Sequence, residues 1–279
     1  MDIKSAILNA DFRFNKRYGQ NFIRDDNLLD KIVSLAEVTQ ADEVLEIGVG
    51  AGTLTRALSK KSKFVYGYEI DKNLQPVLAQ TLSGVENAEI IFRDFMREDI
   101  AETEKLFKGE YVVVANLPYY ITSPIIMKLI EGAKKCKRIV VMVQKEVASR
   151  LCAKADTPDY GAITLAVDVA ANAKCVLDVG RQNFYPVPNV DSAVVKMDIV
   201  KDKYPLASRK AFRDVVRCAF SSRRKTLANN LINTFSLKRA DVENVLSECG
   251  VDLNARGEAL STDVFVKLSN KLVELKMLK

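Results

Sequence analysis

Short runs of β-branched and aliphatic residues alternate with amphipathic stretches through the first two hundred residues, and few architectures accommodate that pattern. The predicted strands are Glu43–Ile47 (EVLEI), Lys63–Glu69, Glu89–Phe92, Tyr111–Ala115, Arg138–Val143, Lys174–Val179 and Ala193–Ile199. Residues 44–47, 111–115 and 139–143 are almost uninterrupted Val, Ile and Leu, as expected of parallel strands buried on both faces by helices. The last strand alternates apolar and polar residues, as an edge or antiparallel strand does. Helical patterns fill the gaps at Asn27–Ala36, Thr53–Lys60, Leu74–Leu82, Ser123–Gly132 and Lys145–Ala153. The fold class is therefore α/β, a doubly wound sheet with ligands expected at the carboxyl ends of its strands. The strand signal stops near residue 203, and segments 207–220, 223–234, 239–249 and 261–275 read as amphipathic helices. The expected organisation is an α/β domain over 1–202 and a small all-helical domain over 203–279.

Composition removes whole classes of chemistry. The chain contains no histidine, which excludes Ser-His-Asp triads, Cys-His dyads, HExxH zinc sites and any imidazole base. Five cysteines are scattered without a CxxC pair, so neither a zinc ribbon nor a disulfide framework is expected, and no metal site is visible. No apolar run approaches the roughly 18 residues of a membrane span, and the opening residues lack a signal-peptide core. A reducing, cytoplasmic setting without a membrane partner is the expectation.

Charge is distributed unevenly. Residues 1–200 carry 26 Lys and Arg against 27 Asp and Glu, whereas residues 201–279 carry 16 against 9. The whole positive excess lies in the C-terminal segment, which suggests a polyanionic partner there.

The first strand runs into a glycine-rich turn, VLEIGVGAGTLT, with Gly48, Gly50 and Gly52 between strand and helix. Glycines at this place permit a tight turn and close approach of a ligand to the backbone. Glu69 ends the next strand 21 positions after Gly48, the spacing of a carboxylate that holds ribose hydroxyls. Asp94 ends the third strand, at the same sheet edge, where it can accept from an adenine amino group. Together these residues describe an adenosine pocket. The dinucleotide fingerprint places a third glycine where this chain has Thr53, which favours a ligand without a pyrophosphate, S-adenosylmethionine rather than a nicotinamide dinucleotide.

The fourth strand leads into NLPYYITSP: Asn116, Leu117, Pro118, Tyr119 and Tyr120. This loop resembles the active-site signature of methyltransferases acting on exocyclic nitrogens of nucleobases. The lone pair of adenine N6 is delocalised into the ring, so the amine is a poor nucleophile. An amide oxygen (Asn116) and a backbone carbonyl (Leu117) that accept its two N–H groups favour a more tetrahedral nitrogen. Pro118 stiffens the loop and Tyr119 offers a face for a base removed from its helix.

Several further segments keep the same order and spacing: RYGQNFIRDDN, EIGVGAGTLT, QKEVASRL, NFYPVPNVDSAVV and AFSSRRKTLANNL. Over nearly its whole length the chain resembles the KsgA family of small-subunit rRNA adenine dimethyltransferases. The resemblance implies a Rossmann-like class I methyltransferase sheet with a C-terminal helical domain. Asn21, Ile23, Gly48, Gly50, Gly52, Glu69, Asp94 and Asn116 would contact S-adenosylmethionine. Asn116, Leu117, Pro118, Tyr119 and Phe184 would form the target-base site. It also implies a monomer whose partner is the small ribosomal subunit and its 16S rRNA, dimethylated at N6 of two adjacent adenosines in a hairpin near the 3′ end. Two alternatives remain open: an antibiotic-resistance type of methyltransferase acting on large-subunit rRNA, and a non-catalytic RNA-binding assembly factor. The NVDSAVV and SSRRKTLANNL segments favour the small subunit, and the intact glycine turn and Asn-x-Pro-Tyr loop favour an enzyme.

The basic segment is read as an rRNA-phosphate surface. Arg223, Arg224 and Lys225 are expected at the start of a helix capped by Ser221 or Ser222, with Arg217 nearby and Arg13, Lys16 and Arg17 as a second patch.

Overall fold

The computed structural model describes residues 3–10, 12–15 and 18–278. The chain separates into two compact units, 1–148 with 172–199, and 149–171 with 200–279. The second unit thus takes in residues 149–171, which a division at 202/203 assigns to the first.

The first unit begins with α1 (Ile3–Asn9), β1 (Phe22–Ile23), α2 (Asp26–Leu35), β2 (Glu43–Ile47) and α3 (Thr53–Ser59). Then come β3 (Phe64–Tyr68), α4 (Gln75–Thr81), β4 (Ala88–Ile91), α5 (Ile100–Thr103) and β5 (Tyr111–Asn116). After α6 (Thr122–Gly132) and β6 (Cys136–Gln144), the helix α7 (Lys145–Leu151) carries the chain into the second unit. The chain returns through β7 (Ala171–Val179), β8 (Phe184–Tyr185) and β9 (Ser192–Ile199).

Seven strands form one sheet in the order β4-β3-β2-β5-β6-β9-β7. The pairs β3–β4, β2–β3, β2–β5 and β5–β6 are parallel, with Val44 opposite Val65 and Val112, while β9 runs antiparallel to β6, with Val141 opposite Val195. The strand order reverses between β2 and β5, the place where a doubly wound sheet opens a crevice. Side chains alternate between the two faces. Val44, Val112, Val114, Val140, Met142 and Val194 share a core with Leu28, Leu29, Ile32 and Val33 of α2 and with Leu54 and Leu58 of α3. Their neighbours Leu45, Val113, Val141 and Val195 are fully buried as well, which is why the central strands are apolar throughout. The alternating pattern at 193–199 correctly indicates an antiparallel strand, but β9 is interior; the edge strand on that side is β7, with several exposed residues along its length. A separate two-stranded ribbon pairs Phe22 with Tyr185 and Ile23 with Phe184.

The second unit packs α8 (Ala162–Asp168), α9 (Arg209–Ala219), α10 (Leu227–Phe235), α11 (Arg239–Glu248) and α12 (Thr262–Glu274). Its core holds Phe212, Val215, Leu231, Val245, Leu246, Phe265 and Leu268, joined by Tyr160 and Leu165 from the 149–171 excursion. That excursion is fastened by polar contacts. Tyr160 donates its hydroxyl to the Leu260 carbonyl at 2.8 Å, and Asp168 accepts from Lys203 Nζ (2.8 Å), Thr262 Oγ1 (2.6 Å) and Tyr204 Oη (3.2 Å). Periodicity alone cannot show such long-range attachments, because it reports only that a face is buried.

The helix expected from 223 starts at Leu227. Thr226 is its cap, accepting from the Asn229 amide at 3.3 Å, so neither Ser221 nor Ser222 has that role. Buried Asn230 donates to the carbonyls of Ala219 and Ser222, which closes the turn before the helix and leaves Arg223, Arg224 and Lys225 in it.

Burial works against ionisation of Asp168, yet the hydrogen bonds from Lys203 and Thr262 hold its carboxyl below the ordinary range. A depressed carboxylate pKa stabilises the fold above the unfolded-state pKa and loses that contribution as pH falls through the folded-state value. Asp168→Asn is therefore expected to cost about 1–2 kcal/mol at neutral pH. The difference from the parent should shrink below about pH 4 in denaturant-unfolding curves, because the parent then loses its charge.

Candidate active site

The carboxyl ends of β2, β3, β4 and β5 surround a single cavity within the first unit, roofed by the segment 18–23. Its geometry begins with the turn after β2. Gly48, Gly50 and Gly52 all have positive φ (78°, 57° and 79°), a region that costs any side chain strain. Gly50 also has no room for one, since an added Cβ would lie 2.9 Å from the Phe22 ring. Gly52 caps α3 from the left-handed region, and a Cβ there would meet Leu78 at 2.8 Å. Gly48 and Gly50 line the cavity; Gly52 does not, and its part is to allow the entry into α3.

Glu69 ties this turn to the one after β3. It is 5% exposed, and its carboxylate accepts from the Gly50 amide at 2.7 Å and the Asp71 amide at 2.8 Å. Burial pushes its pKa up, and the two amides oppose that. Each carboxylate oxygen has a second lone pair, so Glu69 can still accept from ribose hydroxyls. Asp94 follows β4 and caps the tight turn Phe95–Arg97, accepting from the Met96 amide at 2.9 Å; its other oxygen lies 3.5 Å from Arg97 Nε. Asp94, Phe95 and Met96 all line the cavity.

The roof is held from three sides. Gln20 donates to Asp71 Oδ2 at 2.8 Å, Asn116 Nδ2 donates to the Asn21 carbonyl at 2.9 Å, and β1 pairs with β8. The Asn116 contact fixes its amide, leaving Oδ1 as an acceptor with no donor among the described residues. The Leu117 amide is spent on the Met142 carbonyl at 3.2 Å, while its own carbonyl receives none of the hydrogen bonds among the described residues. Pro118 packs above Gly48, whose Cβ position lies 3.6 Å from Pro118 Cδ. Tyr119 is oriented by a 2.8 Å hydrogen bond between its hydroxyl and Ser192 Oγ at the start of β9. Burial raises the Tyr119 pKa further, so the phenol stays neutral.

Most residues expected from the sequence therefore meet here: Asn21, Ile23, Gly48, Gly50, Glu69, Asp94, Asn116, Leu117, Pro118 and Tyr119 line one cavity. Phe184 does not. It is 1% exposed, paired with Ile23 and packed in the core shared with α2 and α3, so contact with a base would require the side chains over it to move.

A buried acid lining the cavity escaped the sequence reading. Glu46, within β2, is 1% exposed, and neither carboxylate oxygen has a hydrogen-bond partner among the described residues. Burial pushes its pKa to about 8; the Thr55 hydroxyl beside it, not in hydrogen-bonding geometry, opposes that rise, and the Glu69 carboxylate adds to it. The available signal was a lone acid inside an apolar run, VLEI.

The basic residues differ among themselves. Arg217, Arg224 and Lys225 are exposed and make no ion pair among the described residues. Arg223 is engaged within its own unit: it donates to the Tyr160 carbonyl at 3.1 Å and faces Glu258 at 3.7 Å. Arg13 is exposed, and Lys16 and Arg17 lie outside the described residues.

Because the pKa of Glu46 is raised in the folded state, its burial costs stability progressively as pH climbs from the unfolded value toward about 8, and levels off beyond. Glu46→Gln should gain stability over the parent across that window, with the two converging below about pH 4.5, the ordinary carboxyl value, in paired urea titrations.

Comparison with known proteins agrees with this geometry. A family model described as ribosomal RNA adenine dimethylase matches residues 11–274. The ribosomal RNA small subunit methyltransferase A of Clostridioides difficile is 43% identical over 96% of this chain and 93% of its own length. The protein of the same name from Bacillus licheniformis is 44% identical over 98% and 96%. Among solved structures, a dimethyladenosine transferase from Plasmodium falciparum superposes with a TM-score of 0.78 at 28% identity, covering 91% of this chain and 97% of that one. The 23S rRNA methyltransferase ErmE gives 0.68, also at 28% identity, covering 91% and 100%. The chain belongs to the ribosomal RNA adenine dimethylase family.

Proposed function

We propose that this protein dimethylates N6 of two adjacent adenosines near the 3′ end of small-subunit rRNA, using S-adenosylmethionine. The observation that carries the reading is the meeting, in one cavity, of an adenosine-binding edge (Glu69, Asp94) with two unsatisfied acceptors on one loop (Asn116 Oδ1 and the Leu117 carbonyl).

The residues present suit S-adenosylmethionine. Glu69 offers acceptors to the ribose, Asp94 offers one to the adenine amino group, and Glu46 supplies an unpartnered buried carboxyl in the same cavity. When bound, this cofactor supplies an electrophilic sulfonium methyl. The rest of the work falls to the chain. Asn116 and Leu117 would accept the two N6 hydrogens of a target adenine and draw the nitrogen lone pair out of conjugation. Tyr119, held by Ser192, would present its ring to the base. Pro118 keeps the loop rigid, so both acceptors are set before the substrate arrives. Catalysis of this kind is positioning and electrostatics, and the missing histidines are no handicap. In each transfer the N–CH3 bond forms as the S–CH3 bond breaks, the neutral thioether departs, and the cationic nitrogen releases one proton to solvent; after the first transfer a single N–H remains, and either acceptor can hold it for the second.

Small-subunit rRNA is favoured over large-subunit rRNA because relatives at 43–44% identity over nearly the full chain carry the small-subunit name, whereas ErmE is 28% identical. Arg217, Arg224 and Lys225, exposed and without an ion pair among the described residues, supply phosphate contacts in the second unit. Methyl transfer from labelled S-adenosylmethionine to undermethylated small subunits, with nucleoside analysis, tests the reading. N6,N6-dimethyladenosine at adjacent 3′-terminal positions is expected; activity confined to free large-subunit rRNA would overturn it.

Asn116→Ala should lower the methylation rate about 100- to 1,000-fold, while subunit binding persists in a filter-binding assay. Replacing both Arg224 and Lys225 by Ala should reduce the slope of log affinity against log salt by about 1–2, with S-adenosylmethionine affinity unchanged. Arg223→Ala should instead destabilise the protein by about 1 kcal/mol in thermal unfolding, since that side chain holds the Tyr160 carbonyl.

A further inference from the structure

The turn that carries Asp94 is not held by its own strand alone. Lys128, in the second half of α6, extends its ammonium to three backbone carbonyls of this turn: Phe95 at 2.7 Å, Met96 at 3.0 Å, and Glu98. The carbonyls of Met96 and Glu98 accept from no other group among the described residues. The ammonium also lies 5.0 Å from the centre of the Phe95 ring, which packs on Tyr68 of β3. A tetrahedral ammonium with three donors suits three convergent carbonyls; a planar guanidinium does not.

The helix bearing Lys128 is itself joined to the target-base loop. Thr122 Oγ1 and the Ile121 amide both bond to the Pro118 carbonyl, at 3.1 and 3.2 Å, and Ile125, one turn before Lys128, lines the cavity. One helix thus connects the loop of Asn116–Tyr119 to the turn of Asp94–Glu98.

We propose that Lys128 is a positioning residue that sets the Asp94 turn for recognition of the cofactor's adenine and links it to the target-base loop. The inference rests on the reading of Asp94 as the group facing the adenine amino group. Asp94 discriminates adenine from hypoxanthine only if its free lone pairs point to the 6-position. That direction is set by the turn, and the turn by Lys128.

The test measures binding of S-adenosylhomocysteine and S-inosylhomocysteine, which differ at that 6-position, to the full chain by calorimetry. The parent should favour the adenosyl compound by about 10-fold or more. Lys128→Met keeps the aliphatic stem and removes the donors. It should lower that preference to about 2- to 3-fold, as Asp94→Asn should, and the double variant should lose no more than either alone. Lys128→Arg should restore the preference only in part. Equal weakening of both compounds by Lys128→Met, or no change, would overturn the proposal by making the lysine a general support of the fold. A parent that binds both compounds equally would remove the Asp94 reading and the proposal with it, an outcome distinct from the first. Should Lys128→Met fail to fold, Lys128→Gln is to be read instead, and a folded Gln variant with the parent's preference would count against the idea.

Discussion

A buried carboxylate joins the two turns on which the cofactor site is built. Glu69 leaves the end of β3 and takes the backbone amides of Gly50 and Asp71, so the glycine turn after β2 cannot shift without breaking a charge-assisted bond in a poorly solvated place. An isolated carboxylate would be costly there; two amides satisfy it and leave acceptor capacity for a ribose. Gly50 must lack a side chain for the same contact, because Phe22 of the roof presses on the position its Cβ would take. Roof, turn and carboxylate form one assembly.

The base-binding side depends on a comparable economy of hydrogen bonds. Asn116 spends its amide N–H on the Asn21 carbonyl, which leaves its oxygen without a donor among the described residues. Leu117 spends its amide on β6 and keeps its carbonyl. Among the described residues two acceptors are left unsatisfied beside a neutral, anchored tyrosine, which is unusual in a folded protein unless a ligand completes them. Glu46 extends this pattern deeper into the sheet, as a carboxyl that burial keeps largely protonated at neutral pH.

Much of this was legible in the residues. EVLEI predicts a strand with the same limits as β2, and the glycines after it, Glu69, Asp94 and NLPYY all reach the cavity apart from Gly52. Such segments are readable because local chemistry determines them: continuous apolar strands, positive-φ turns, and acids at strand ends. Phe184 and Arg223 were harder. An aromatic can serve a core or a base, and an arginine can serve a phosphate or a carbonyl, and in the structure Phe184 lies in the core while Arg223 holds the Tyr160 carbonyl. Charge counting treats all cations alike, so it cannot separate Arg223 from the unpaired Arg224 and Lys225.

The sequence by itself determined the parallel α/β class, the order of the ligand-bearing turns and the chemistry of the Asn-x-Pro-Tyr loop, because periodicity and turn residues act over a few positions. Only the tertiary structure decided that residues 149–171 join the C-terminal helices, that β9 lies inside the sheet, that α10 begins at Leu227 and that Lys128 braces the Asp94 turn. Each of these depends on partners that are distant in the chain or on which of several competing groups satisfies a buried polar atom. Such choices are made by packing and hydrogen-bond satisfaction in three dimensions, and no local pattern carries them.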